Sequence, residues 1–351
     1  MNKRKLLLLL SCSLVLSTVP FQLVGAQDSS VEESTEEVAT DENSENGVSI
    51  KMGYGAPHGD KSFSVTYVVM DGDVVAKSLI DEFQFLADGE AVPNSDGAFG
   101  EGFAEDVILA SKRQNDEAYS ANMTEIAGAT QTYSASMDAV QAFAEGKTLD
   151  EIKTALEELD GLEDDASPAD VVSGSTFVDT RGYLQTIVDV AENGFEFTGV
   201  ESADLSNAEL IYDLQPTSGD SAVSLVAVLK DGDTILAAAQ DELQFTEGEG
   251  VPNSDAGFGE GFAEDNVLIS KLMNDESYSA RMAEIANATQ TYSESLTAIS
   301  QAVAGKTVEE VEVILEELAG LDEDGNVADV VSGSTFAETS VYLDAIINTA
   351  K

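Results

Sequence analysis

Cysteine and histidine are almost missing from this chain of 351 residues, which contains one of each. Cys12 lies in an N-terminal apolar run that we expect to be removed, so the remaining chain can form no disulfide, no iron–sulfur cluster and no thiolate zinc site. The single histidine, His58, excludes a histidine-rich metal site and a bis-histidine haem. No metal site is therefore predicted, and any redox chemistry needs a cofactor held by other residue types.

Basic residues are also scarce. The chain has 16 Lys and Arg against 67 Asp and Glu, which gives a formal net charge of −51 at pH 7. A surface this negative repels nucleic acid and anionic lipid headgroups. Nucleic acid is therefore excluded as a partner, and most of the charge is interpreted as a solvated acidic surface.

The longest apolar run is N-terminal and is short for a membrane span. Basic residues at positions 3–5 precede an apolar run over about 6–19, and small residues at 24–26 offer a cleavage point. This layout predicts a secretory signal peptide over residues 1–26, with an uncleaved anchor as the alternative. Cys12 lies inside the run rather than at its end, so no lipid anchor is expected. The predicted location is secreted or cell-envelope associated, outside the cytoplasmic membrane.

Residues 27–46 contain no aromatic residue and almost no bulky apolar one, which predicts a disordered acidic tether. An internal duplication follows. The nine letters ADVVSGSTF at 169–177 return at 328–336, and FGEGFAED at 99–106 returns at 258–265. Each copy has the length of one ordinary domain, so the sequence predicts two tandem homologous domains joined by a short linker. The predicted domains span residues 47–195 and 206–351.

Each copy is predicted to be α+β, with a small antiparallel sheet and several helices. In the first copy, alternation over 63–69 predicts a strand, the Asp-Gly pair at 71–72 a hairpin turn, and 74–85 a returning strand. A capping box at 148–151 opens a helix that we expect to stop at Gly161. A last helix follows the SGST letters, and the second copy repeats both helices.

The segment with chemical meaning is Ser173-Gly174-Ser175-Thr176, together with its twin at 332–335. A small-residue loop directly before a helix presents free backbone N–H groups, and the helix dipole adds partial positive charge, so this loop predicts a phosphate site. Gly174 permits close backbone approach, and the hydroxyls can bind phosphate oxygens or accept a phosphoryl group. Ordinary N-capping of the helix is the alternative. The nine-letter identity beside diverged flanking stretches favours the phosphate role.

The longer pattern Asp-x-x-Ser-Gly-Ser-Thr resembles the flavinylation motif of bacterial FMN-binding domains, Asp-x-x-(Ser/Thr)-Gly-(Ala/Ser)-Thr. In that family a separate FAD-dependent flavin transferase joins the FMN phosphate to the last threonine. The resemblance implies two covalent FMN groups, at Thr176 and Thr335. Serine stands where alanine is commoner, a tolerated variation. The other cofactor-binding positions implied by the motif are Asp170, Ser173, Gly174, Ser175, Asp329, Ser332, Gly333 and Ser334.

The tandem arrangement is similar to that of the extracellular electron-transfer flavoproteins of Gram-positive bacteria, and the similarity extends to the Asp-Glu-x-Gln-Phe segments at 81–85 and 241–245. It implies an electron carrier rather than an enzyme with its own substrate pocket. Such a carrier takes electrons from a membrane quinol-oxidising system and passes them to extracellular acceptors such as ferric iron or flavins. Two alternatives stay open: a flavin-dependent reductase of a specific small acceptor, and a non-redox secreted surface-binding protein.

Two further repeated features have weaker functional interpretations. The aromatics and glycines at 99–103 and 258–262 could pack on a flavin ring, or form a turn with two core aromatics. Lys112 and Lys271 occupy equivalent positions in a chain poor in lysine. They could pair with phosphate or the flavin, or form simple surface ion pairs.

Overall fold

The computed structural model describes residues 47–163, 166–286, 288–322 and 325–351. The predicted signal peptide at 1–26 and the tether at 27–46 lie outside the described residues. The structure confirms an α+β fold, with eight helices and two antiparallel sheets within the described ranges. Both copies fall within one compact unit.

The first copy and the segment after it form the larger sheet. Its elements are β1 (Ser49–Gly55), β2 (Ser62–Asp71), β3 (Val74–Leu86), β4 (Ile108–Ser111), α1 (Asp116–Ala127), α2 (Tyr133–Ala144), α3 (Leu149–Asp160), α4 (Thr180–Asn193) and β5 (Phe195–Thr198). The strand order is β4-β3-β2-β1-β5, and every neighbouring pair is antiparallel.

The second copy repeats the order of elements. They are β6 (Glu209–Thr217), β7 (Ala222–Asp231), β8 (Thr234–Phe245), β9 (Leu268–Ser270), α5 (Asp275–Ala286), α6 (Tyr292–Val303), α7 (Val308–Ala319) and α8 (Thr339–Ala350). The strand order is β6-β7-β8-β9, again antiparallel throughout. The predicted duplication is therefore also a structural one.

Local sequence signals place several elements as predicted. Thr148 and Glu151 form the reciprocal capping box of α3, and Gly161 is its C-cap. The hairpin at 71–72 joins β2 to β3, with Gly72 at φ 61°. These features depend on hydrogen bonds between residues a few positions apart, which is why the sequence alone predicts them.

Strand β2 differs from the half-exposed strand that its alternating pattern suggests. Ser64 and Thr66 are as fully buried as Val65 between them. Thr66 faces α4, where its hydroxyl donates to Thr186 Oγ1 at 3.2 Å. Phe63, on the opposite face, packs against Phe258 of the second copy with ring centroids 5.0 Å apart. The strand is buried because a helix covers one face and the other copy covers the other.

The segment predicted to be a linker contains β5 instead. Phe197, on this strand, is buried opposite Ile50 of β1. Val200 then donates its N–H to the carbonyl of Leu236 in the second copy at 2.9 Å. An apolar side chain that completes the first sheet therefore makes this connection part of the fold.

The two FGEGFAED segments meet where the copies pack together. Phe103 and Phe262 form an antiparallel bridge, in which the N–H of Ala104 donates to Gly261 O at 2.8 Å and the N–H of Ala263 donates to Gly102 O at 2.9 Å. Six aromatic rings, which come equally from both copies, lie with centroids 5.1–5.9 Å apart. They are Phe85, Phe99, Phe103, Phe245, Phe258 and Phe262. Of the two interpretations of these segments, the structure supports the turn with core aromatics.

Candidate functional site

The two SGST loops adopt the same left-handed turn. Gly174 has a φ of 92° and Gly333 a φ of 90°, values that side chains other than glycine rarely adopt. A Cβ at either position would also come within about 3.2 Å of an alanine on the neighbouring helix, Ala139 or Ala298. Backbone conformation and close packing therefore both require the glycine of the motif.

The loop does not lie directly before its helix, which corrects the prediction. Helix α4 begins at Thr180 with Asp179 as N-cap, and α8 begins at Thr339 with Glu338 as N-cap. A carboxylate at the helix start disfavours a phosphate there, so the dipole argument does not apply to this loop. The alternative prediction, that the SGST residues cap the helix, is also wrong, because Asp179 and Glu338 occupy the N-cap positions. The chain turns inward first because Phe177 must reach the core, where it is 9% exposed.

The serine before each predicted acceptor threonine holds the loop in place from the protein interior. Ser175 is fully buried, and its hydroxyl lies 2.6 Å from Thr180 Oγ1. Thr180 in turn donates to the carbonyl of Phe177 at 2.7 Å, so Ser175 supplies the donor between the two hydroxyls. The pair Ser334 and Thr339 repeats this arrangement at 2.7 Å. Both serines support the loop from its buried side.

The predicted acceptor threonines are partly exposed, and among the described residues each hydroxyl has one hydrogen-bond partner. Thr176 Oγ1 lies 3.2 Å from Ser136 Oγ on α2. Thr335 Oγ1 accepts instead from the backbone N–H of Gln290 at 3.3 Å. The serine equivalent to Ser136 is Ser295, whose buried hydroxyl has no partner among the described residues. The two sites thus present the same hydroxyl with different neighbours.

The surface beside the loops is polar and mostly uncharged. In the second copy an open depression of about 310 Å³ lies against Ser332 and Gly333. Hydroxyl and amide groups line it, with Glu294 as the one carboxylate among its lining residues. In the first copy the amide of Gln131 donates to Gly174 O at 3.1 Å. On a chain this acidic, such neutral donors fit a phosphate group better than the surrounding surface does.

The remaining motif positions lie on the exposed side of the loop. Asp170 closes a capping box, in which its carboxylate accepts from Ser167 N at 3.2 Å. Asp329 ends the equivalent turn, where Asn326 replaces the serine. Ser173 and Ser332 are exposed as well. An enzyme that recognises this motif would therefore find the aspartate, the first serine and the threonine on one accessible loop.

Buried ion pairs lie beneath both loops, and the sequence interpretation missed them. Lys112 is 1% exposed, and its Nζ lies 3.0 Å from Oε2 of the fully buried Glu82. Lys271 and Glu242 form the equivalent pair in the second copy. Both earlier interpretations of the lysines, as cofactor contacts or as surface ion pairs, are wrong. The sequence did contain a signal for these ion pairs: a lysine and an Asp-Glu pair on a predicted strand both recur in the two copies.

Each ion pair is enclosed by a group of aromatic side chains that includes the residue after the predicted acceptor threonine. Phe177 packs on Tyr133 and Tyr183 with centroid distances of 5.5 and 5.2 Å. Tyr183 Oη donates to Glu82 at 2.6 Å, and Lys112 Nζ lies 4.7 Å from the centroid of the Tyr119 ring. The equivalent group contains Tyr278, Tyr292, Phe336 and Tyr342. The loop is therefore anchored one residue from the predicted attachment point.

Electrostatics keep the second pair charged despite its burial. Burial raises the pKa of Glu242, but the Lys271 ammonium and the hydrogen bonds from Thr217 and Tyr342 together offset this, and the net pKa lies below the usual value. Burial lowers the pKa of Lys271, whereas Glu242 raises it, and the net pKa lies above its usual value. Both groups are ionised near neutral pH because each stabilises the charge of the other.

No family model, curated protein or solved structure matches this chain. Within the described ranges, no helix combines the length and the apolar character that a membrane crossing requires. Nor do the described residues include a group of three or more His, Cys, Asp or Glu side chains able to hold a metal ion.

Proposed function

We propose that this chain is an extracellular electron-transfer flavoprotein that carries two FMN groups, each joined by a phosphoester bond to Thr176 or Thr335. The observation that carries the proposal is the repeated loop geometry. In both copies a left-handed glycine turn presents a partly exposed threonine from an accessible loop. The proposal also rests on the resemblance of the motif to flavinylation sites.

Attachment requires little chemistry from this chain. The transferase supplies the metal and the base, and the Oγ–phosphorus bond to threonine forms as the pyrophosphate bond of FAD breaks. AMP leaves, and the hydroxyl proton passes to the transferase. The chain's part is to present the hydroxyl and to surround the phosphate with neutral donors, such as Gln131 in the first copy and Ser293 and Ser332 in the second. Once attached, the flavin accepts and donates electrons, and the protein sets its orientation and potential.

The signal-peptide layout of residues 1–26 supports a location outside the cytoplasmic membrane. A covalent bond suits that location, because a dissociated cofactor is lost to dilution there. The implied partners are the FAD-dependent flavin transferase, a membrane quinol-oxidising donor and an extracellular acceptor such as ferric iron or a flavin. The chain is then a carrier and a transferase substrate rather than an enzyme.

The decisive experiment is intact mass spectrometry of the denatured full chain after export together with an active flavin transferase. Two FMN phosphoester increments are expected for the wild type, one for Thr176→Ala or Thr335→Ala, and none for the double variant. Thr154→Ala is the matched control, since this exposed threonine lies on α3, outside the motif. An unmodified wild type, with the transferase active on another substrate, would leave the surface-protein interpretation or non-covalent flavin binding.

A further inference from the structure

Two loops cross from one copy to the other and lie on the turn that joins the first two strands of the opposite copy. In the first copy the loop contains Asn94, and in the second it contains Asn253, its equivalent. Both asparagines have a left-handed backbone, with φ values of 63° and 65°. Each asparagine therefore has a backbone conformation that most residues other than glycine avoid.

Asn253 fastens the β1–β2 turn of the first copy. Its Nδ2 donates to the carbonyls of Gly59 at 2.9 Å and Ser62 at 2.8 Å. The N–H of Phe258, further along the same loop, donates to Asp60 O at 2.7 Å. Three carbonyls of one short turn are thus satisfied by residues from the other half of the chain.

That turn is joined to the start of α4, next to the SGST loop. His58 Nδ1 lies 2.7 Å from the carboxylate of Asp179, the N-cap of α4. Pro57 packs so closely on Gly182 that an added Cβ would lie 2.5 Å from the proline carbonyl oxygen. The first residue of α4, Thr180, pairs with the buried hydroxyl of Ser175. A continuous path therefore leads from Asn253 to the residue before Thr176.

The second copy contains the equivalent contacts, with the roles of the two copies exchanged. Asn94 Nδ2 donates to Gly219 O at 3.2 Å and Ala222 O at 2.6 Å. Ser218, at the position equivalent to His58, places its hydroxyl 3.3 Å from Oε2 of Glu338, while Oε1 of Glu242 lies nearer at 2.9 Å and takes the single hydroxyl proton. Glu338 is the N-cap of α8, so this contact corresponds to the His58–Asp179 pair of the first copy. The contact occupies the same place in both copies, but it is longer in the second copy, where Glu242 competes for the hydroxyl proton.

We infer that each acceptor threonine is positioned from the opposite copy: Asn253 positions Thr176, and Asn94 positions Thr335. Neither asparagine touches the predicted attachment point, so both are positioning residues. The inference rests on the proposed function for its chemical readout. The crossed mechanical connection rests on the hydrogen bonds alone and is testable without any flavin.

The test compares Asn253→Gly with Asn94→Gly, since glycine keeps the left-handed backbone at no cost and removes only the side chain. Site-resolved mass spectrometry after proteolysis measures how fast the transferase modifies each threonine. We expect Asn253→Gly to slow modification of Thr176 by about tenfold, because a displaced nucleophile reacts slowly, and to leave Thr335 within about twofold. Asn94→Gly should do the reverse, so each variant is the control for the other.

Hydrogen exchange on the unmodified proteins is the flavin-independent readout. Asn253→Gly should speed the exchange of amides at 58–62 and 177–183, whereas Asn94→Gly should speed those at 217–222 and 336–342. Equal slowing at both threonines, or an effect within the same copy, would overturn the inference in favour of general destabilisation. If the wild type is never modified, the proposed function fails, and the exchange data still decide the crossed connection.

A second variant keeps the test informative if Asn253→Gly does not fold. His58→Ala breaks the next connection on the same path, and the imidazole is 47% exposed, so the fold should tolerate its loss. It should slow modification of Thr176 and leave Thr335 unchanged. Equal rates at Thr176 in His58→Ala and the wild type would overturn the path through the α4 N-cap.

Discussion

Asp81 in the first copy and Asp241 in the second lie at equivalent positions of β3 and β8, and each accepts hydrogen bonds from a buried serine hydroxyl and two backbone N–H groups. Asp241 also accepts from Tyr54 Oη at 2.6 Å, which reaches across from β1 of the first copy. The strand registers place Leu214 at the position equivalent to Tyr54, and leucine has no hydroxyl to offer Asp81. One copy thus helps to satisfy a buried carboxyl of the other, without reciprocation.

This difference shows how a duplicated chain diverges where its copies meet. The outward-facing acceptor loops keep the same turn and the same buried serine–threonine pairs, with hydroxyls 2.6 and 2.7 Å apart. The residues at the contact between the copies differ, because a hydrogen bond across this contact needs a donor from only one copy. Burial raises the pKa of both aspartates, and that of Asp241 reaches about 6 although hydrogen bonds from Ser270 and Tyr54 lower it.

The largest effect should come from breaking one buried ion pair. Lys271→Met leaves Glu242 as a buried carboxylate without its cation, so we expect the free energy of unfolding to fall by about 3–5 kcal/mol. Lys112→Met should cost about the same in the first copy, since the two pairs are equally buried. Urea unfolding measures both.

The matched control is the double variant Lys271→Met with Glu242→Leu, which removes both charges. It should recover most of the lost stability, because apolar residues can replace a buried pair. A single Lys271→Met variant as stable as the wild type would contradict the burial of this pair.

A pH-dependent difference between the copies should be smaller. Because the pKa of Asp241 rises from 3.8 to about 6 on folding, the folded state binds the extra proton, and its contribution to stability falls as pH rises through this window. Asp241→Asn should therefore remove a slope worth about 3 kcal/mol between pH 4 and pH 6. Urea titrations across this range, relative to the wild type, measure the slope.

Tyr54→Phe sharpens the same comparison, since it gives Asp241 an apolar neighbour like the Leu214 position beside Asp81. Losing this donor should raise the pKa of Asp241 further and extend the slope to higher pH. Leu214→Ala, which removes no hydrogen bond, serves as the control. Parallel stability curves for the wild type and Asp241→Asn would show that this carboxyl does not titrate on folding.

The smallest expected effect concerns the acceptor hydroxyls. Thr176 shares a hydrogen bond with Ser136, whereas the equivalent Ser295 has no described partner. Ser136→Ala should change the modification rate of Thr176 by about threefold, in keeping with one modest hydrogen bond. Ser295→Ala should leave Thr335 unchanged, and site-resolved mass spectrometry compares the two. Equal effects in both copies would mean that the difference in hydroxyl pairing is irrelevant to attachment.

Features set by neighbouring residues were predictable from the sequence. The capping box at Thr148 and the stop at Gly161 need only groups within one helical turn, and the hairpin at 71–72 needs only its own two residues. The apolar face of the last helix also follows from spacing, and Leu184 and Ile187 are buried as expected.

Features that need a distant partner were not predictable. The start of α4 was misplaced because nothing local shows that Phe177 must turn inward to pack on Tyr133. The local sequence predicts a surface or cofactor role for Lys112, because its partner, Glu82, lies on β3 and is distant in the chain. A lysine has the same local sequence signature whether its counter-ion is a buried carboxylate or the solvent.

The sequence by itself determined the duplication, the α+β class and the equivalence of Thr176 and Thr335, because each is written in the order or spacing of residues within a copy. Only the tertiary structure shows that the turn between the first two strands of each copy is held by an asparagine of the other copy. Asn253 meets the carbonyls of Gly59 and Ser62 only after both copies have folded and docked. Hydrogen bonds between groups so far apart in the chain depend on the packing of two surfaces, and no local pattern of residues encodes them.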